Sequence, residues 1–378
     1  MGSIRTRSPF RSVASVIVLT LVAAGCGGDD DGAATTTAAG GDTTQATDTT
    51  AMAEDTTTAV ATTEVATTEA GSAEVVQIAF FAPLANSYVA ATIDGINEVA
   101  ELEGAEVTTF DTGFDATLEF SQMQDAVTQG TFDAFIVIPL DPVALVPAAE
   151  EAIAAGIAVV NTDLALGPDL TTSEPQVEGQ AGTVMTPGTV RADNITDLLL
   201  AACEDLDPCR VGWIAGVATI DFEVKIKERL DEIVAENDNI ELAAYQDGGG
   251  YLADPAVGIA QDLLQANPDL DVLATSGDQM TTGAEIAVND AGLVPGTDIL
   301  LIGGGGSCPG VAAVAEGRWF GTTIDVPRDE GVRGAEIAIG WVRGEITTPV
   351  GVDAQIESGL PLLITQDTVD EFECQWEG

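Results

Sequence analysis

Histidine is absent from all 378 residues, which removes the usual general base of hydrolytic triads and the commonest nitrogen ligand of zinc. Basic residues are scarce as well. Twelve Lys and Arg stand against 62 Asp and Glu, for a formal net charge of −50, and none falls between Arg11 and Arg191. So acidic a chain is a poor partner for nucleic acid or anionic headgroups, and most of its carboxylates read as a solubility feature. The second glycine of a serine-hydrolase elbow is missing, since the chain around Ser307 reads Gly305, Gly306, Ser307, Cys308, Pro309. The glycine run 303–306 is followed by no Lys and Ser/Thr pair, which excludes a phosphate loop. No catalytic residue, metal or cofactor is expected.

At the amino terminus Arg5, Arg7 and Arg11 precede an apolar run, residues 13–22, that is too short to span a bilayer comfortably. The run ends in Ala23, Ala24, Gly25, Cys26, which resembles the lipobox of bacterial lipoproteins although Ala23 stands where leucine is commoner. Residues 1–26 are therefore expected to be a lipoprotein signal with Cys26 as the lipidated residue. The protein would be exported and anchored by lipid on the outer face of the plasma membrane. Residues 27–73 are almost wholly Thr, Ala, Gly, Asp and Glu, without an aromatic or basic side chain, and read as a disordered acidic tether. Four further cysteines in an exported chain suggest two disulfides. Cys203 and Cys209 enclose only EDLDP and should close locally, which leaves Cys308 for Cys374. Zinc is the weaker alternative, because the spacing matches no zinc pattern.

The remaining length suits two lobes rather than one small core. Residues 75–82 are apolar on nearly every position, as in a strand buried on both faces of a parallel sheet. Pro83 ends that strand. Asn86 and Ser87 are capping residues, and Val89, Ile93, Ile96 and Ala100 follow at helical spacing, so a helix begins near Tyr88. The plan repeats with strands at 106–110, 135–138, 158–160 and 183–185, and again at 211–215, 242–245, 272–275, 299–302 and 322–324. Helices lie between them, the first ones stopped by Gly130 and Gly156. The fold class is α/β, with two doubly wound parallel-sheet lobes whose strand ends face one another across a cleft.

The Asn86 to Tyr88 turn, the strand ending in Asn161, Thr162, Asp163, the turn Asn267, Pro268, Asp269 and the segment Gly277, Asp278, Gln279, Met280 occur in a familiar order. Across residues 75–370 the chain resembles the ribose-binding, type I periplasmic solute-binding proteins. The resemblance implies a three-segment hinge near 186–188, 325–327 and 350–355. One lobe would be 74–187 with 327–352, the other 188–326 with 353–378. It also implies that Asn86 bonds a sugar hydroxyl, that Tyr88 and Tyr251 cover a ligand ring from opposite lobes, and that Asp163, Asp278 and Asp325 supply polar contacts. Leu164 stands where the family commonly has arginine, Gly277 where it has asparagine, and the run 303–306 where an aspartate is expected. Ribose itself is thus not the expected ligand; a neutral polyol, an uncommon sugar or a cationic small molecule fits better than a phosphate or carboxylate. The implied protein is a monomer that delivers a small sugar-like ligand to an ABC permease, or alternatively presents it to a membrane receptor or kinase.

Overall fold

A computed structural model describes residues 75–378. The expected signal, Cys26 and the tether lie outside the described residues. In chain order the first strands are β1 (Gln77–Ala82), β2 (Glu106–Asp111), β3 (Ala134–Val137), β4 (Ala158–Thr162) and β5 (Gly182–Met185), and the helices between them are α1 (Ser87–Glu103), α2 (Ala116–Gln129) and α3 (Val146–Ala154). The chain then runs through α4 (Gly188–Ala202), β6 (Cys209–Ile214), α5 (Asp221–Glu236), β7 (Ile240–Gln246), α6 (Ala253–Ala266) and β8 (Val272–Thr275). It continues through α7 (Asp278–Asp290), β9 (Leu300–Gly303), α8 (Cys308–Ala315) and β10 (Gly321–Thr323). Last come α9 (Pro327–Val342), β11 (Val350–Asp353), α10 (Ala354–Ser358) and β12 (Leu363–Ile364).

Two six-stranded sheets result, ordered β11-β5-β4-β3-β1-β2 and β12-β10-β9-β8-β6-β7. All pairings are parallel except β12 on β10. Each sheet reverses its winding beside its first strand, at β1/β3 and at β6/β8, which is where an open α/β sheet leaves a crevice at the carboxyl ends of its strands. The apolar runs that identified the strands are buried on both faces: Phe80, Phe81, Ile136, Val137, Val159 and Val160 are inaccessible.

The chain crosses between sheets three times, as the fold class requires, after β5, after β10 and after β11. One detail differs. Residues 350–353 form an edge strand paired to β5, so the third crossing follows that strand instead of coinciding with it. The return of α9 to the first lobe is fixed by close backbone approach to α1. A Cβ on Gly95 would collide with the Arg328 carbonyl, and one on Gly331 with the Thr92 carbonyl. Two glycines thereby bring Glu330, on α9, beside Tyr88 at the start of α1. Both expected disulfides are present, Cys203–Cys209 between α4 and β6, and Cys308–Cys374 between α8 and the segment that carries Trp376.

Candidate functional site

Between the strand ends of the two lobes lies a cavity of about 530 Å³ of empty space, its mouth included. Its walls follow the strands in turn. Asn86 and Tyr88 come after β1, Phe114 after β2, Leu140 after β3, Asp163 and Leu164 after β4. From the second lobe come Phe222 after β6, Tyr251 after β7, Ser276 and Gln279 after β8, and Asp325 after β10. Among the described residues three non-glycine residues have left-handed backbone, Phe114 (φ 58°), Asp163 (φ 64°) and Tyr251 (φ 52°), and all three line this cavity. For side chains as bulky as Phe and Tyr such a conformation is costly, and strain of that kind gathers at functional sites.

Five of the six residues named from sequence meet here. Asn86 caps α1, its Oδ1 accepting from the Tyr88 N–H at 2.8 Å, and the same oxygen accepts from Gln279 Nε2 of the other lobe at 3.2 Å. The Tyr251 ring lies in the opposite wall, 6.3 Å from the Phe114 ring and 5.8 Å from that of Phe222. Its hydroxyl is already committed, donating to Glu223 Oε1 at 2.7 Å. Asp278 is not in the cavity. It is fully buried in the second lobe, where Oδ1 accepts from the Thr322 hydroxyl at 2.6 Å and Oδ2 from the Ser307 N–H at 2.7 Å. Burial pushes its carboxyl up to about 7. A Cβ on Gly303 or Gly310 would collide with that carboxylate, so Gly303, in the glycine run, makes room for Asp278 and not for a phosphate.

The centre of the site is a residue that sequence reasoning passed over. Arg191, in the first turn of α4 just after the first crossing, points Nη2 at Asp163 Oδ1 (2.7 Å), Asp325 Oδ1 (3.5 Å) and Glu330 Oε1 (3.8 Å). Its guanidinium also lies 5.0 Å from the Phe222 ring centroid. Burial works against its charge, but Asp325, Asp163 and their neighbours outweigh it and hold the pKa well above the usual value. Burial pushes Asp325 up to about 6 against the pull of Arg191. Glu330 is raised well above the usual carboxylate range by burial and then by Asp163.

The hydroxyl of Tyr88 is shared between two carboxyls, 3.1 Å from Asp163 Oδ1 and 3.0 Å from Glu330 Oε2. One phenol hydrogen cannot serve both at once, so the two compete for it, and burial beside Asp163 disfavours a charge on Glu330. Asp163 keeps its other oxygen for the cavity. The signal that could have found Arg191 was its isolation, as the first base after Arg11.

Trp376 was missed too. Its Nε1 donates to the Gly305 carbonyl at 2.9 Å, its own carbonyl accepts from the Cys308 N–H at 2.8 Å, and its ring meets Tyr88 edge-on at 5.6 Å. The Cys308–Cys374 bridge holds this segment to the second lobe, while Gln375 donates to Asp329 of α9 at 2.7 Å. At the rim the lobes also touch through the Ala165 N–H, which donates to Asp221 Oδ2 at 2.7 Å.

Two doubly wound lobes joined by three crossings, with a walled cavity at their facing strand ends, define a hinged solute-binding protein. The chain belongs to the periplasmic binding proteins: the family described as "Periplasmic binding protein domain" matches residues 78–346. That family places it outside the cytoplasmic membrane. It is similar to a ribose import binding protein of Bacillus subtilis, 24% identical over 278 residues that cover 72% of this chain and 85% of the relative. It is similar also to a xylitol-binding protein of Mycolicibacterium smegmatis, 25% identical over 297 residues, 75% of this chain and 76% of the other. Among solved structures, a Mycobacterium smegmatis protein in complex with β-D-fucofuranose superposes with a TM-score of 0.68 at 20% identity, covering 78% of this chain and 93% of that one. The ribose and xylitol relatives are binding proteins.

Proposed function

We propose that this protein captures a small sugar- or polyol-like solute in the cavity between its lobes and hands it to an ABC permease. The observation that carries the reading is the junction of Asp163, Arg191 and Asp325 at the floor of that cavity, flanked by the aromatic faces of Tyr88, Tyr251 and Phe222. A carboxylate accepts from hydroxyls, a guanidinium donates to their oxygens, and a ring covers the C–H face of a sugar. Asp163 and Asp325 beside one guanidinium disfavour phosphates and carboxylates, so the ligand is not an anion. Names of the relatives that include ribose and xylitol point the same way. The transport reading fits these relatives better than presentation to a receptor.

Asn86, Tyr88, Tyr251, Asp163 and Asp325 form the proposed contact set, with Arg191 added; Asp278 is left out. The cavity holds solute without transforming it. Cys26 carries the lipid, residues 27–73 are the tether, and the binding unit acts as a monomer. A thermal-shift screen of sugars, polyols, amines and nucleosides, followed by calorimetry on hits, tests the reading. A sugar or polyol that raises the melting temperature of the wild type but not of Asp163→Ala is the expected result. No shift from any of them sinks the proposal, as would turnover of chromogenic glycosides. Cys26→Ser should release the protein from membranes, and retention of the variant there would exclude lipid anchoring at that residue.

A further inference from the structure

The polar atoms around the cavity divide into committed and free, and the division has a direction. Asn86 spends its oxygen on Tyr88 and Gln279 and its amide on the Tyr251 carbonyl at 3.5 Å. Ser276 donates to Glu223 at 2.9 Å and accepts from Trp213 at 3.2 Å, and the Tyr251 hydroxyl is also held by Glu223. Apart from Gln279 Oε1 and the second amide hydrogen of Asn86, the side-chain capacity that remains lies on one side. Asp163 has a second oxygen, and Asp325 offers lone pairs beyond its contacts with Arg191 and Gln355. Away from that edge the wall is largely carbon: Phe114, Ile138, Leu164, Ile220 and Phe222, closed by the ring of Trp376. A hydroxyl pressed on such a wall loses water and gains no partner, whereas a methyl or methylene gains contact.

We infer that the ligand is amphipathic, with its hydroxyls along one edge and an apolar remainder: a deoxygenated or O-alkylated sugar or polyol, not one hydroxylated at every carbon. The inference rests on the sugar-binding reading and narrows it. Calorimetry on the intact protein at neutral pH decides it, with three matched pairs: D-fucose against D-galactose, methyl ribofuranoside against D-ribose, and a vicinal cis-cyclohexanediol against myo-inositol. The first member of at least one pair should bind about tenfold more tightly than its partner or better, because each misplaced hydroxyl would be buried unpaired. Asp163→Asn should weaken that member while leaving the melting temperature of the free protein within a few degrees. If the fully hydroxylated partners bind equally or more tightly, the inference is overturned and the binding function stands. If none of the six compounds binds, the inference fails, and the sugar-binding reading fails only if the wider screen is also blank.

Discussion

Two buried carboxyl clusters flank the cavity, and only one of them has a cation. Asp163, Asp325 and Glu330 surround Arg191, whereas Glu223 sits under the opposite wall with only neutral partners, Tyr251, Ser276 and the Gly216 N–H. The first leaves carboxylate oxygens free toward the cavity. The second consumes every polar group it touches, and burial pushes Glu223 up to about 7 despite those three donors. A buried acid with a cation can stay charged and offer lone pairs to a ligand, while one without a cation is pushed toward its neutral form and braces the wall.

Removing the cation should break the contrast most. Arg191→Ala leaves Asp163 and Asp325 facing one another without compensation, at an expected cost of about 3–5 kcal/mol in urea unfolding. The loss should be greater at pH 8 than at pH 5, because Asp325, at about 6, escapes by protonation in acid. A cost below about 1 kcal/mol at both pH values would mean that the cluster is not held by its arginine. Trp376→Ala comes next, at about 2–4 kcal/mol, since it strips a buried ring from Tyr88 and wets the first cluster. The second cluster should be unaffected, which the pH dependence of unfolding would reveal.

Glu223→Gln sharpens the comparison from the other side. Folded, Glu223 keeps a proton that the unfolded chain gives up near the ordinary value, so its contribution is complete below about pH 4 and is lost as pH rises through about 7. The variant should therefore lose part of the decline in melting temperature between pH 5 and 8, ending more stable than wild type at pH 8 by on the order of 1 kcal/mol. An unchanged slope would assign the decline to other acids. The smallest effects belong to two hydroxyls. Tyr88→Phe and Tyr251→Phe should each cost about 1 kcal/mol, but only the second should worsen with pH, because it takes a donor from the ionised form of Glu223. Equal pH profiles for the two would erase the distinction between the clusters.

The strands were legible because parallel strands buried on both faces are apolar at nearly every position, as at Phe80 and Val160, and the helix stops because Gly130 and Gly156 adopt positive φ. β11 escaped notice. It reads Val350, Gly351, Val352, Asp353, an edge strand with a glycine and little burial. Asn86, Asp163 and Tyr251 follow strands, and the resemblance to the ribose-binding proteins singled them out at those positions. Arg191 comes only after the crossing that leaves β5, and Trp376 lies far beyond the last strand. One reaches the cavity because the first crossing folds α4 against the floor, the other because a disulfide carries it there, and neither event leaves a local pattern. Asp278 was misplaced for the converse reason: it follows a strand, but its carboxylate turns back into its own lobe to fasten the loop after β9.

Phe114, Asp163 and Tyr251 each bend the backbone the wrong way for an L-residue in order to face the cavity. At Phe114 glycine would relieve on the order of 1 kcal/mol of that strain. At Tyr251 the same change would also strip a buried ring and a donor to Glu223, and so would cost more than it relieves. In a descendant copy freed from the demand for the ligand, position 114 is therefore where decay would first be read, well before the buried strands showed any change.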